Sequence, residues 1–159
     1  MKRIITMSAA NETNVVAPVR VAYLIGRLDR ALRRHIGEAV SPFGLTMQQY
    51  TALSVLAGRE QLSNAQLAER SFMTPQATSE MIKAMEGKGL VAREPDPYHG
   101  RIIHIRVTAH GRELLARSDA AVAQLEAVML AQLGDAERQQ LHAQLKSCVH
   151  ALGAGLIEG

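Results

Sequence analysis

Between Leu62 and Thr108 the chain reads LSNAQLAERSFMTPQATSEMIKAMEGKGLVAREPDPYHGRIIHIRVT, and this stretch decides the fold. Ser63 followed by Gln66 has the spacing of a capping box, in which a hydroxyl and an amide satisfy free backbone N–H groups at a helix start. The sequence therefore predicts a short helix that begins at Asn64 and is interrupted at Ser71.

A second helix is predicted directly after the first. Thr74 is a suitable side-chain cap, and Pro75 suits the first helical position, where its missing N–H costs nothing. We expect this helix to run to about Glu86, with an apolar face and an opposite polar face. The apolar face contains Ala77, Met81, Ile82 and Met85, and the polar face contains Gln76, Ser79, Glu80 and Lys83. Gly87 and Gly89 can both take the left-handed conformation that ends a helix.

The pattern then changes from the period of a helix to that of a strand. Every second residue from Ile103 to Val107 is apolar, as in a half-buried strand, and Leu90–Glu94 is expected to supply its partner. Residues 95–100, PDPYHG, form the turn between the strands. Two short helices followed by such a hairpin predict a winged helix-turn-helix. The fold class is mainly α with a small β-hairpin wing (α+β).

Long helices are predicted on both sides of this unit. The first runs from Pro18 to about Val40, and Thr46 with Gln49 offers a capping box for the next. After the hairpin, Thr108 caps a long helix that Gly134 breaks, and Asp135 is expected to cap the last helix. Two apolar stripes have the spacing of a seam between helices: Leu115, Val122, Leu125 and Met129, then Leu141, Leu145, Cys148 and Leu152.

These stripes predict a dimer. An ordinary core is the more frequent origin of such patterns, but three helices this long cannot all be covered by a unit of about fifty residues. Unburied stripes of this size imply a partner, and the nearest is a second copy related by a two-fold axis.

Composition sets weaker limits. Among 159 residues, 18 Lys and Arg stand against 15 Asp and Glu, and a net charge of +3 is a weak argument for nucleic acid. The single cysteine, Cys148, excludes an internal disulfide and suits a reducing compartment; we interpret it as a packed thiol rather than a redox sensor. The opening MKRIITMSAANETN contains no recognisable signal peptide or membrane span, so we expect a cytoplasmic protein.

Four motifs follow one another along the chain: GLTMQQYTAL from Gly44, LSNAQLAER from Leu62, MTPQATSEMIKAMEGKGLV from Met73 and DPYHGRIIHIRVTAHGRELL from Asp96. In this order they resemble the MarR family of bacterial transcription regulators, over roughly residues 19–152. The resemblance implies a homodimer whose second motif helix enters the major groove of DNA while the wing reaches the minor groove. Residues 45–108 would be the DNA-binding lobe, residues 15–42 and 109–156 the helical dimerisation region, and residues 1–14 a frayed or disordered N-terminus.

The wing departs from the family pattern. Many members carry Asp-x-Arg at the tip, where the carboxylate braces the arginine, whereas this chain has His99, Gly100 and Arg101. Asp96 could replace the missing brace, or the wing could be looser, and the sequence leaves both open. Glu80 is also unusual, because a carboxylate on the polar face repels phosphate; it is either a solvated residue or an acceptor for a cytosine amino group.

The candidate DNA contacts follow from this arrangement. A two-fold dimer places its two second helices about 34 to 36 Å apart and predicts an imperfectly palindromic operator. Gln suits adenine, and Lys suits guanine or phosphate. Helix starts can bind phosphate, although local capping explains their residues equally well. The candidates are Ser63, Asn64, Thr74, Pro75, Gln76, Ser79, Lys83, His99 and Arg101.

The resemblance further implies a repressor that is released by a small ligand, commonly a phenolic or other aromatic acid, bound between the dimer helices and the lobe. Candidate wall residues are His35, Phe43, Met47 and Tyr50. A buried, hydrogen-bonded histidine is the plainer interpretation of His35, and Met47 and Tyr50 could be ordinary core.

Other functions are weighed against this one. An enzyme is not expected, because no glycine-rich phosphate loop, nucleophile elbow or acid–base carboxylate pair is recognisable, and no cofactor is predicted. A metal-responsive regulator of the same fold stays open, although the histidines form no tight metal-binding pair. A winged helix that binds another protein is the third interpretation.

Arg101 generates the first testable prediction. Replacing it with Ala should weaken binding to duplex DNA and flatten the slope of log affinity against log salt by about one unit, because one phosphate contact is lost. The measurement is a salt titration of DNA affinity. An unchanged affinity and slope would remove the wing from this hypothesis.

Overall fold

A computed structural model describes residues 19–59 and 62–153. In chain order its elements are α1 (Val21–Val40), a 3-10 turn (Ser41–Phe43), α2 (Met47–Gly58), β1 (Leu62–Ser63), α3 (Asn64–Arg70), α4 (Pro75–Gly87), β2 (Val91–Pro95), β3 (Ile103–Val107), α5 (Ala109–Met129) and α6 (Asp135–Ala151). The predicted winged helix-turn-helix is confirmed: α3 and α4 are its helix pair, and β2 with β3 is its wing. The prediction for residues 1–14 lies outside the described residues.

Local side chains set most helix starts, as the sequence predicted. In the α3 box, Gln66 N donates to Ser63 Oγ at 3.3 Å and Ser63 N donates to Gln66 Oε1 at 2.9 Å. The same reciprocal pair of bonds opens α2, where both distances are 3.2 Å. The hydroxyls of Thr74 and Thr108 cap α4 and α5. Each bond satisfies an N–H that the first turn of a helix leaves free.

Two predicted boundaries were wrong by one to three residues, and of the two glycines able to end α4 in the left-handed conformation only Gly89 takes it. The first helix begins at Val21 rather than Pro18, a residue outside the described part. Gly89 takes the left-handed conformation with φ of 69°, whereas Gly87 is simply the last residue of α4. The leading wing strand begins one residue later than predicted, at Val91.

The predicted cap of the last helix was also wrong. Gly134, not Asp135, occupies the capping position of α6, and its N–H donates to Glu137 Oε2 at 2.8 Å. The carboxylate three residues into the helix therefore replaces a capping side chain.

The sheet contains a strand that the sequence did not reveal. Order in the antiparallel sheet is β1-β3-β2, with Leu62 opposite Ile105 and Ser63 opposite His104. A two-residue strand is too short to show a period. Ile103 belongs to the apolar alternation of β3 but is 41% exposed; β1 pairs with Ile105 and His104 and does not extend to it.

One core lies between α2, α3, α4 and the sheet. Its largest buried side chains, each 1% exposed or less, are Leu53, Leu67, Ile82, Met85, Leu90, Val40 and Thr78. Leu115 of α5 joins this cluster and Val122 packs against it, so two residues of the predicted seam contact the lobe instead.

The outer parts of α1, α5 and α6 remain uncovered in the single chain. Val21 is 70% exposed, Val128 is 75% exposed and Leu152 is 85% exposed, and no described residue of α6 is buried. Cys148 is exposed as well, so its interpretation as a packed thiol is wrong for the isolated chain.

The first turn of α5 is seated directly on the backbone that precedes the wing. Thr108 Oγ1 donates to Gly89 O at 2.6 Å, and Thr108 N donates to Leu90 O at 3.0 Å. Gly111 lies so close that a Cβ there would overlap the Leu90 carbonyl oxygen and the Val107 side chain. Only a residue without a side chain fits this junction.

Gly111→Ala should therefore lower the free energy of unfolding by about 1–3 kcal/mol, the usual range for overpacking. Urea denaturation at one fixed protein concentration measures it. Gly87→Ala is the matched control: a Cβ at Gly87 meets nothing within 4 Å, so stability should stay the same or rise by up to about 1 kcal/mol. Equal losses in the two variants would contradict the argument.

Candidate nucleic-acid interface

The outward face of α4 is fixed by what its inward face buries. Thr78 and Ile82 are completely buried, and the Thr74 hydroxyl accepts the Ala77 N–H at 3.2 Å. Because successive residues turn through 100°, the remaining positions must point away from the core. The exposed candidates are Gln76, Ser79 and Lys83, and Glu80 is exposed beside them.

The candidates at the helix starts already serve the fold. Ser63 and Thr74 make the capping bonds described above. Asn64 reaches across the turn, where its Nδ2 donates to the Pro75 carbonyl at 2.9 Å and ties α3 to the start of α4. Sequence reasoning missed this bond because its partners lie eleven residues apart.

The wing tip is a closed loop organised by Asp96. Its Oδ1 accepts the backbone N–H groups of Tyr98 at 2.8 Å and His99 at 2.7 Å, and its Oδ2 lies 2.8 Å from His104 Nε2. Asp96 N donates to Ile102 O at 2.8 Å and closes the loop. The bond to His104 is the main cause, and the two N–H bonds contribute, in lowering the pKa of Asp96 to about 2.

Asp96 does not brace the wing arginine. Its oxygens bond His104 and the tip backbone, and Arg101 makes no hydrogen bond or ion pair with any residue in 19–59 or 62–153. Ile102 N donates to His99 O at 2.7 Å, which makes Gly100 and Arg101 the central residues of a turn. The Arg101 side chain therefore projects into solvent from the apex of the wing.

Other basic residues near this surface already form ion pairs or hydrogen bonds with neighbouring groups. Arg93 lies 3.8 Å from Glu86 and Arg106 lies 3.0 Å from Glu94, both pairs being partly exposed and so weak. Lys88 Nζ donates to Gly44 O at 2.8 Å, which fastens the end of α4 to the start of α2. Local pairing thus leaves Lys83 and Arg101 as cations available on the α4 face and the wing.

The four candidate ligand residues lie in two different places. His35 lines an open cleft of about 200 Å³ between α1 and α5, with apolar walls that include Leu32, Leu125 and Met129. Its side chain is 44% exposed and its Nδ1 lies 3.0 Å from Glu38 Oε2, so the expectation of a buried histidine was wrong.

The other three candidates lie where the lobe meets α1 and α5; they are Phe43, Met47 and Tyr50. The Arg117 guanidinium lies 5.2 Å from the centre of the Phe43 ring. Tyr50 OH donates to Asp119 Oδ1 at 2.8 Å, and Met47 is partly buried against Gly37. Burial first, and then the bond to Asp119, raise the pKa of Tyr50 to about 12.

Neither a metal-binding cluster nor a membrane-spanning helix occurs in the described part of the chain. Within the described ranges, no three His, Cys, Asp or Glu side chains come together in a way that could hold a metal ion. None of the helices described here has the length and apolarity needed to cross a membrane.

Comparison with known proteins identifies the family. A model of the MarR family matches residues 43–102, from the 3-10 turn to the wing. The HTH-type transcriptional repressor Rv2887 of Mycobacterium tuberculosis is 33% identical over 126 residues, which cover 79% of this chain and 91% of the relative. The chain belongs to the MarR family. As a member of the MarR family it is a transcription regulator.

Solved MarR structures share the fold. The Mycobacterium tuberculosis protein Rv2887 in complex with salicylic acid has a TM-score of 0.69 at 32% identity, covering 82% of this chain and 97% of that one. Its complex with DNA has a TM-score of 0.70 at 30% identity, covering 82% and 98%. The repressor CouR, bound to a DNA duplex, has a TM-score of 0.73 at 25% identity, covering 82% and 92%. The predicted family and fold class are confirmed.

The Tyr50–Asp119 bond gives a testable prediction because it joins α2 to α5. Tyr50→Phe should lower the free energy of unfolding by about 0.5–1.5 kcal/mol near neutral pH. A raised pKa in the folded state means that the contribution is fully present below pH 10 and is lost as the pH rises through about 12. The stability difference between wild type and Tyr50→Phe should therefore shrink in strongly alkaline buffer. Thr51→Val is a control, because that hydroxyl bonds only within α2; a constant difference across this range would contradict the assignment.

Proposed function

We propose that the chain is a homodimeric repressor that binds a palindromic operator through α4 and the wing and is released by a small aromatic acid. The observation that carries the DNA-binding part is the exposed face of α4 beside a wing with Arg101 at its apex. A helix of this kind suits the major groove, and an arginine on a hairpin suits the adjacent minor groove. The DNA complexes of Rv2887 and CouR support this assignment.

The uncovered helices support the dimer. No described residue of α6 is buried, and apolar side chains of α1 and α5 are exposed as well. An isolated helix of 17 residues has marginal stability in water, so α6 needs a surface to pack on. A second copy related by a two-fold axis would supply it and would set two α4 helices at the spacing of one DNA turn.

The cleft between α1 and α5 supports an aromatic acid as the ligand. Its walls are apolar apart from His35, so an aromatic ring would be buried there. The carboxylate could approach the Nε2 side of the imidazole, where Arg34 Nη2 lies 3.1 Å away, because Nδ1 already faces Glu38. The cleft formed by one chain is small, and the second copy of the dimer would complete its walls. The salicylate complex of Rv2887 indicates the chemical class. Binding would release DNA if it favoured a different spacing of the two lobes.

Selection of bound duplexes from a random pool tests the DNA-binding part. We expect two half-sites related by a two-fold axis, with centres about 10 base pairs apart, and a dimer of two chains on each duplex by light scattering. The affinity should fall steeply with salt. No association with any duplex at low salt would contradict the proposal and favour a protein partner, and monomeric binding would contradict the dimer.

The selected duplex is then challenged with salicylate, and with methyl salicylate as a control that lacks the negative charge. Salicylate should release DNA from the wild-type protein, and His35→Ala should need a higher concentration. Release by both compounds alike, or no release, would contradict an aromatic acid in this cleft.

A further inference from the structure

Three features of the hairpin have no part in the proposed function: the Asp96–His104 contact, a buried ring nitrogen and the tip bonds that Asp96 accepts. We infer that His104 and Asp96 form a positioning pair that replaces the usual brace on the wing arginine by holding the backbone of the tip. The inference rests on the proposed function, because its purpose is to present Arg101 to DNA.

The pair joins the strand to the loop. His104 belongs to β3, and its backbone lies opposite Ser63 on one side and Glu94 on the other. Its side chain is 15% exposed, and that of Asp96 is 17% exposed. The contact is therefore largely shielded from water and rests on the sheet, which is the rigid part of the hairpin.

The ring orientation points to the same role. His104 Nδ1 is buried and has no hydrogen-bond partner among the described residues, so its one polar contact is the bond from Nε2 to Asp96. An unpartnered buried nitrogen costs free energy that an apolar residue at this place would avoid. Packing alone does not account for a histidine here, whereas the bond to Asp96 does.

A continuous set of bonds leads from this pair to the arginine. One Asp96 oxygen accepts from His104, and the other accepts the N–H groups of Tyr98 and His99. The carbonyl of His99 then accepts the Ile102 N–H and closes the turn that contains Arg101. The guanidinium stays free for DNA because the carboxylate acts on the backbone instead.

The charged residues next to His104 take no part in its contact with Asp96. Glu94 and Arg106 lie beside His104 on the sheet and pair with each other at 3.0 Å. Their contact holds the two strands together but makes no bond to the tip. Glu94→Gln is therefore a matched control on the same hairpin.

A double-mutant cycle on the duplex selected by wild-type protein tests the inference. His104→Ala should weaken DNA binding about two- to tenfold, the effect of one hydrogen bond, and should cause no further loss in an Arg101→Ala background. His104→Gln, whose amide can donate to Asp96, should stay close to wild type. Glu94→Gln should show no coupling to Arg101→Ala. Equal losses in both backgrounds, or no loss in either, would overturn the inference.

Amide hydrogen exchange of residues 96–102 gives a readout without DNA. Exchange should be faster in His104→Ala and close to wild type in His104→Gln and Glu94→Gln. Unchanged exchange in His104→Ala would overturn the inference that the pair holds the tip. The two failures are distinguishable. If wild type binds no duplex, the proposed function fails; if Arg101→Ala weakens binding while His104→Ala does not, the positioning pair alone fails.

Discussion

Burial of one face of α4 in the core organises the whole lobe. Ile82 and Met85 are completely buried, and each contributes roughly 1.5–3 kcal/mol by leaving water. Because the helix has 3.6 residues per turn, these side chains also fix the direction in which Gln76 and Lys83 point. The same packing therefore stabilises the lobe and creates the surface proposed to read DNA.

The contacts that join the lobe to α5 differ in character along the helix. At the first turn of α5, Gly111 lies against the Leu90 carbonyl, a contact that tolerates no displacement toward the lobe. Two turns further on, Tyr50 bonds Asp119 through a partly exposed pair. Between these two places, Leu115 of α5 is buried in the core of the lobe.

Much of the fold could be predicted because its signals are local. The caps formed by Ser63, Thr46, Thr74 and Thr108 lie within three residues of the N–H groups that they satisfy, and all four appear in the structure. The strand β1 and the use of Gly134 as the cap of α6 were missed. A strand of two residues exists only through its pairing with β3, and a glycine cap leaves no side-chain signal. The exposure of Cys148 was missed because the apolar stripe of α6 does not reveal whether another part of the same chain packs on it.

The candidate site likewise contains features that local sequence signals predicted and one that they could not. The sequence alone was enough to predict that α4 precedes a hairpin with Arg101 at its tip, because caps, period and turn residues are properties of neighbours along the chain. Only the tertiary structure decided which partner Asp96 takes. The strand register brings His104, eight residues away, within 2.8 Å of it, and directs Asp96 to the backbone rather than to the arginine. A hydrogen bond depends on distance in space, and sequence separation does not define that distance until the strands have paired.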